Sequence, residues 1–405
     1  MKVGVFIADI VPEAGGGYTF HLDLLQSLSK LAGDNPHDFV LFTNSKSEVV
    51  ASSIIKLCDL HNISIFPIHK KTISILENLP FVWKIPFIGK ILSLPYRLDR
   101  IAKREGVEIM WFIGPAVTDI DIPYITVVWD LQHRLQPWFP EVSINGAWQN
   151  REDYYLRVLK RASFIITGTE AGRKEIEYFY GIPTENIRVL PHPTPKYILD
   201  ANPSDSGDVI NKYSIRRNYL FYPAQFWSHK NHVNLLLSLK SLKENHGLRF
   251  SLVLVGSDMG NVNYVKEVTS NLGLSDQVFF LGFVPQNDLI LLYRNAFALT
   301  YLSFFGPENL PPLEAFALGC PVVASKVSGA EEQLGDAALL VDPKSPEEIA
   351  LAIKSLYDNP DLRSTLIKRG IERASSWTGD DFVRGIFSIL DEFERIRRCW
   401  DQKLL

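Results

Sequence analysis

Apolar residues in this chain fall into short continuous runs, separated by longer stretches in which they recur every three or four positions. Runs bounded by turn residues predict buried strands, and the wider spacing predicts amphipathic helices. In the first half, strands are expected over Lys2–Ile10, Asp38–Thr43, Ile109–Ile113, Ile125–Val128, Phe164–Gly168 and Arg188–Leu190. After the first of these, Gly15, Gly16 and Gly17 lead into a helix near Phe20–Leu31. The second half repeats the alternation, with strands expected over Tyr219–Pro223, Phe250–Gly256, Val278–Leu281, Phe297–Leu302, Pro321–Ala324 and Ala338–Val341. Helical spacing also fills Pro346–Tyr357 and Ser376–Ile396.

Strands alternating with helices predict parallel sheets of the α/β class. Between the halves, Pro195–Asn218 is rich in Pro, Asp, Ser, Asn and Gly and lacks periodicity, so it reads as an interdomain linker. The expected architecture is two Rossmann-like domains facing a cleft, 1–200 and 201–376, with a C-terminal helix of about 377–405 packing back onto the first. Ligands in such sheets bind beyond the carboxyl ends of the strands, and clefts between domains are favoured pockets. Chemistry is therefore sought in the loops that follow strands.

Composition narrows the classes. With 405 residues, 46% apolar and 22% charged, the chain is that of a two-domain globular protein. A net charge of −4 argues against a general nucleic-acid binder. Cys58, Cys320 and Cys399 lie far apart with no CxxC spacing, which suggests neither a disulfide framework nor a zinc site and fits a reducing, cytoplasmic compartment. The N-terminal apolar run contains Asp9 and is too short for a signal peptide, and no stretch has the length of a spanning helix.

The most informative loop is Phe304–Ser325. A strand ends near Ser303, Asn309 suits a helix cap, and Pro311 or Pro312 suits the first helical position. Free amides and the dipole at such a helix start favour an anion such as a diphosphate. Glu314 follows, expected in the first turn, where a carboxylate could accept bonds from two sugar hydroxyls. The same residues equally suit an ordinary capped helix with a dipole-compensating Glu.

This segment resembles the nucleotide-sugar site of family-4 retaining glycosyltransferases with the GT-B fold. Their pattern has two glutamates separated by seven residues, then a small-residue helix and Gly-x-Pro-Val-Val, matched here by Gly319, Pro321, Val322 and Val323. Glu314 matches the second glutamate, which in the family holds the nucleotide ribose. The first falls on Gly306, and the chain is similar to a subset with a Gly-Pro-x-Asn loop found in bacterial cell-surface polysaccharide glycosyltransferases. The resemblance implies that the donor-sugar contact passes to Glu308, Asn309, Leu310 or backbone amides. Glu332 and the run Gly335–Pro343 continue the match.

Other loops are read beside this one. Lys230 sits in a strand-to-helix turn where a cation could meet a pyrophosphate. The family pairs such a Lys with an Arg five residues earlier, and Gln225 occupies that position. His229 and His232 have a metal-like spacing without companion ligands, so packing is the better reading. Gly16 and Gly17 allow close backbone approach to a ligand. After the strand ending at Val128, Trp129 replaces the family's His, Asp130 is kept, and His133 follows, so Asp130 and His133 are candidates to orient acceptor or sugar. An equal alternative makes Asp130 a turn cap and His133 a partly exposed side chain. Asp119 and Asp121 form a DxD string that three residues do not make specific.

The resemblance implies retaining transfer of a sugar, mannose or rhamnose favoured, from a nucleotide-sugar donor to a cell-surface glycan or lipid-linked oligosaccharide. No metal or cofactor is expected, with the departing diphosphate stabilised by Lys230 and the helix start. The alternatives are a nucleotide-sugar epimerase or phosphorylase on the same fold, or a silent nucleotide-sugar-binding partner. Eight basic residues between Lys70 and Arg104, interleaved with Phe81, Trp83, Phe87 and Tyr96, would suit docking to an anionic membrane at its inner face. A solvated helix beside an apolar loop explains them equally.

Overall fold

The computed structural model describes residues 1–8, 15–43, 64–67, 94–118, 120–202 and 207–401. Most of the basic and aromatic segment 70–104, and Asp119 of the DxD string, lie outside the described residues. Among the described residues no helix is long and apolar enough to cross a membrane.

Two parallel sheets organise the molecule. The first contains β1 (Lys2–Ile7), β2 (Asp38–Thr43), β3 (Ser64–Pro67), β4 (Ile109–Phe112), β5 (Tyr124–Val127), β6 (Phe164–Thr167) and β7 (Ile187–Val189). Their spatial order is β3-β2-β1-β4-β5-β6-β7. The second contains β8 (Tyr219–Pro223), β9 (Ser251–Val255), β10 (Val278–Gly282), β11 (Ala298–Tyr301), β12 (Val322–Ser325) and β13 (Ala338–Val341), ordered β10-β9-β8-β11-β12-β13. In each sheet the order reverses beside the first strand, which creates a crevice at the strands' carboxyl ends. With a parallel sheet in each half and helices between the strands, this is the α/β GT-B architecture.

The strand residues divide by parity because successive side chains point to opposite faces. Val3, Val5 and Ile7 of β1 join Ile109 and Trp111 of β4 in one apolar cluster, while Phe6, Met110 and Phe112 join the cluster on the other face. Both faces are covered, so the strands read as continuous apolar runs rather than alternating ones. The strand Ser64–Pro67, which the apolar pattern does not announce, extends the sheet edge by pairing Leu41 with Ile65 and Phe42 with Phe66.

The helix Gly379–Arg397 covers one face of the first sheet. Its buried Phe382, Val383, Ile386, Ile389, Leu390 and Phe393 recur at helical spacing and belong to the same cluster as Val3, Val5 and Ile7. The preceding helix, Pro360–Ser375, belongs to the second sheet's core through Leu366 and Ala374. The chain therefore crosses between the sheets twice, first through the residues after β7 and again near Trp377. The crossings are tied together, because Trp377 Nε1 donates to Pro191 O at 2.8 Å and Thr194 N donates to Trp377 O at 3.3 Å.

One buried acid stands where the first crossing meets the helix Gly16–Leu31. Asp23 accepts a bond from Lys196 N at 3.0 Å, and burial pushes its carboxyl up to about 7 against an ordinary 3.8, the Lys196 N–H opposing. Between those values the folded chain keeps a proton that the unfolded chain has released, so stability falls as pH rises through that window. Asp23→Asn keeps an acceptor for Lys196 N and removes the titration. Thermal melts at pH 5 and pH 8 are expected to show a larger fall for the wild type than for the variant.

Candidate functional site

The loops after both sets of strands enclose a cleft cavity of about 480 Å³, within the range of small-ligand sites. From the first domain it is lined by Gly16, Gly17, Trp129, Asp130 and His192; from the second by Gln225, Lys230, Glu308, Asn309, Leu310 and Glu314. Nearly all the candidate residues thus converge on one space.

Lys230 is the cation of the cavity lining among the described residues. It ends a short 3-10 turn, Ser228–Lys230, that the fold holds rigidly. Tyr222 donates from its hydroxyl to Lys230 O at 2.5 Å. The next residue, Asn231, takes a left-handed φ of 58° and donates from Nδ2 to Leu302 O at 2.9 Å and Pro343 O at 2.8 Å. The Lys230 ammonium donates to the Tyr301 hydroxyl at 3.0 Å and lies 5.3 Å from the centre of that ring. Among the described residues it pairs with no carboxylate, so its charge is available to an anionic ligand. Gln225 does not add charge; its Oε1 accepts a bond from Trp227 Nε1 at 3.0 Å.

The helix start after β11 differs from its expected form in three respects. The helix begins at Leu310, so Pro311 and Pro312 are its second and third residues, and Glu314 stands in the second turn. Asn309 occupies the cap position without capping: its Nδ2 donates to Gly306 O and its N–H to Gln333 Oε1, both at 2.9 Å. Proline has no N–H, so of the first three helical residues only Leu310 presents one. This end of the helix is a poorer anion cradle than expected, which shifts more of the electrostatic work to Lys230.

Gly306 also explains the absent glutamate. Its φ of 137° is one that L side chains rarely adopt, and a Cβ there would lie 2.6 Å from Asn309 Oδ1. The loop conformation therefore disfavours a glutamate at this position. Glu308 does not replace it as a free acid. It reaches into the first domain, where it accepts bonds from His192 N at 2.7 Å and His192 Nδ1 at 2.5 Å, and its side chain is 3% exposed. It passes so close to Gly168 that a Cβ there would fall 1.2 Å from its Oε2.

Glu314 is buried against two phenols at the cavity wall. Tyr197 and Tyr293 donate to its two oxygens at 2.7 and 2.6 Å, and burial raises its pKa against the opposing effect of those bonds. Each oxygen keeps a second lone pair for a ligand hydroxyl. On the opposite wall, Gly16 packs its backbone against Leu310, a Cβ there lying 3.2 Å from Leu310 Cδ1, and Gly17 faces the Trp129 ring. Asp130 lines the cavity and also closes a turn, accepting bonds from Gln132 N at 2.9 Å and Arg151 at 2.7 Å.

His133 is placed elsewhere. Its ring is fully buried behind the cleft wall, with Nε2 3.2 Å from both Glu152 Oε2 and the Tyr180 hydroxyl, and burial holds its pKa down to about 4. The short helix Gln132–Leu135 turns it inward, and it is neither at the cavity nor partly exposed. His229 and His232 diverge as well: His229 pairs with Glu141 of the first domain, and His232 stacks on Phe226 with ring centres 4.5 Å apart.

Contacts that sequence reasoning did not foresee hold the two domains together. Glu332 caps the first-domain helix Glu170–Tyr180 by accepting from Glu170 N at 2.6 Å and Ala171 N at 2.9 Å, beside that helix's own Thr169. Gln136 donates from Nε2 to Phe304 O at 2.9 Å, and Phe139 stacks on Phe304. His192, Glu141 and Tyr197 belong to the same group, and Tyr293, also missed, holds Glu314 from within the second domain. His192 carried one signal, a histidine between two prolines directly after a strand.

Residues 209–373 match the family model of glycosyl transferases group 1. The chain is 27% identical to O-antigen chain mannosyltransferase B of Escherichia coli over 55% of its own length and 59% of that protein's. It is 28% identical to an O-antigen chain mannosyltransferase of Salmonella typhimurium over 51% of this chain and 54% of the other. The matched stretch thus spans a little over half the length of these relatives. Among solved structures, a glycosyltransferase from Rickettsia africae superposes with a TM-score of 0.71 at 17% identity, covering 96% of this chain and 98% of that one. Anabaena HepE, solved with UDP and glucose, superposes with a TM-score of 0.71 at 16% identity over 97% of this chain and all of the other.

Proposed function

We propose that this protein transfers a sugar, mannose in the first instance, from a nucleotide-sugar donor to a growing cell-surface glycan or lipid-linked oligosaccharide. The observation that carries this reading is the Lys230 ammonium, which pairs with no carboxylate among the described residues, on an interdomain cavity whose other walls offer hydroxyl acceptors at Glu314 and a close glycine backbone at Gly16 and Gly17. That combination suits a ligand with a diphosphate at one end and hydroxyl-rich rings at the other. The names of the Escherichia coli and Salmonella relatives support the mannosyl donor and the surface-glycan acceptor.

In this reading the diphosphate lies against Lys230 and the Leu310 amide. As the bond between the anomeric carbon and the phosphate oxygen breaks, Lys230 stabilises the charge that collects on the leaving group. Transfer proceeds with retention, the acceptor attacking from the face the leaving group vacates. Contacts across the cleft keep water from competing as acceptor.

Incubating the protein with GDP-mannose, dTDP-rhamnose and UDP-glucose, with and without lipid-linked oligosaccharide, tests the proposal. Release of nucleoside diphosphate, stimulated by the acceptor and with a product that keeps the donor's anomeric configuration by NMR, is the expected result. Nucleotide binding without turnover would identify a silent binding partner instead, and a new free nucleotide sugar would identify an epimerase.

A further inference from the structure

We propose that His192, oriented by Glu308 from the opposite domain, is the group that takes the proton of the acceptor hydroxyl. The inference rests on the transferase reading above and names a residue for one step of it. His192 lines the cavity, and both its backbone N–H and its Nδ1 are held by the Glu308 carboxylate. A carboxylate on Nδ1 fixes the ring and selects the tautomer with the proton on that nitrogen, which leaves Nε2 as an acceptor. Among the described residues Nε2 makes no hydrogen bond, and the side chain is 16% exposed. A nucleophile's base held by a third, acidic group is a recurrent arrangement in group transfer.

The surroundings favour a sugar beside that nitrogen. Phe20, with its ring centre 4.9 Å from the imidazole, and Trp129, at 6.3 Å, form an aromatic wall around it. Neither is ionisable, so Glu308 is the charged group in contact with the ring. In the step, a lone pair of the acceptor oxygen forms the bond to the anomeric carbon. The bond from that carbon to the phosphate oxygen breaks, and its electron pair leaves with the nucleoside diphosphate. The hydroxyl proton passes to Nε2 and then to solvent.

The two partners sit on different domains, 116 residues apart in sequence. The base is therefore oriented only when the domains meet, so domain closure assembles it. Induced fit of this kind ties turnover to a bound donor.

The test follows nucleoside diphosphate release from GDP-mannose, dTDP-rhamnose and UDP-glucose, with methyl α-mannoside as the acceptor probe. His192→Gln is expected to lower kcat by about 10²–10³-fold, in line with removing a general base. GDP affinity by calorimetry should stay within about twofold, as expected when a loss falls on the reacting step rather than on binding. The wild-type rate should fall at acid pH, and this acid limb should vanish in His192→Gln. Gly168→Ala keeps both residues but puts a Cβ where the Glu308 carboxylate lies, pushing it off His192, so a folded Gly168→Ala protein should lose turnover in parallel. A His192→Gln enzyme with wild-type kcat, or one that keeps the acid limb, overturns the proposal. So does a folded Gly168→Ala protein with full activity. If the wild type releases nothing from any donor, the transferase reading itself fails and this inference falls with it.

Discussion

Lys230→Ala is expected to lower the rate of nucleoside diphosphate release by about 10²–10³-fold, comparable to removing one donor from a site that stabilises developing negative charge. The size follows from the absence of a second cation on the cavity lining among the described residues. Where an Arg shares the work, deleting the Lys leaves half the stabilisation behind. Here Gln225 contributes a neutral side chain already engaged with Trp227, and the prolines at 311 and 312 withhold two amides from the helix start. Lys230→Arg should recover only part of the rate. A guanidinium is planar and longer, and it cannot keep the ammonium's position over Tyr301 while reaching the same oxygen. Steady-state kinetics of both variants with the best donor check this. Equal rates for Lys230→Ala and wild type would show that the diphosphate lies elsewhere.

The second large effect is on stability. Glu152 is 4% exposed and satisfies three partners, namely Arg134 through Nε and one terminal nitrogen, the ring of His133 and the hydroxyl of Tyr180. Removing the carboxylate leaves Arg134 without its counter-charge and leaves His133 and Tyr180 buried with only each other as partners. Breaking a buried pair in this way costs about 3–5 kcal/mol, and the partial exposure of Arg134 places Glu152→Ala near the lower figure. Urea unfolding of Glu152→Ala and Glu152→Gln should show this loss and a smaller one. Activity of the folded fraction should be little changed, because the cluster lies behind the cleft wall. A fall in kcat at full stability would return His133 to the chemistry.

These two expectations draw on different parts of what the sequence discloses. Lys230 and Gln225 are legible because they follow a strand directly, and Glu314 and the glycines at 16 and 17 because they stand in the first two turns of helices entered from such loops, where a local pattern fixes the approximate position. The alternation of apolar runs likewise gives the two sheets. It misses Ser64–Pro67 because a four-residue strand that opens on Ser64 and closes on Pro67 carries too little signal. What the chain conceals is pairing at a distance. Glu308 with His192, Glu314 with Tyr197 and Glu332 with the Glu170 amide are separated by 116, 117 and 162 residues, and no local periodicity joins them. His133 fails for a related reason. Three positions beyond Asp130 sounds adjacent, but Asp130 precedes the short helix Gln132–Leu135, whose own orientation sets His133 on the inner face.

The chain's two crossings between the sheets have a mechanical consequence. A single tether would let the halves swing and twist freely. Two lengths of backbone running side by side, stitched by Trp377 to Pro191 and Thr194, act instead like the spine of a book. The covers can open, but they cannot slide past one another, so each closing returns Glu308 to His192 and Glu332 to the Glu170 amide in the same register.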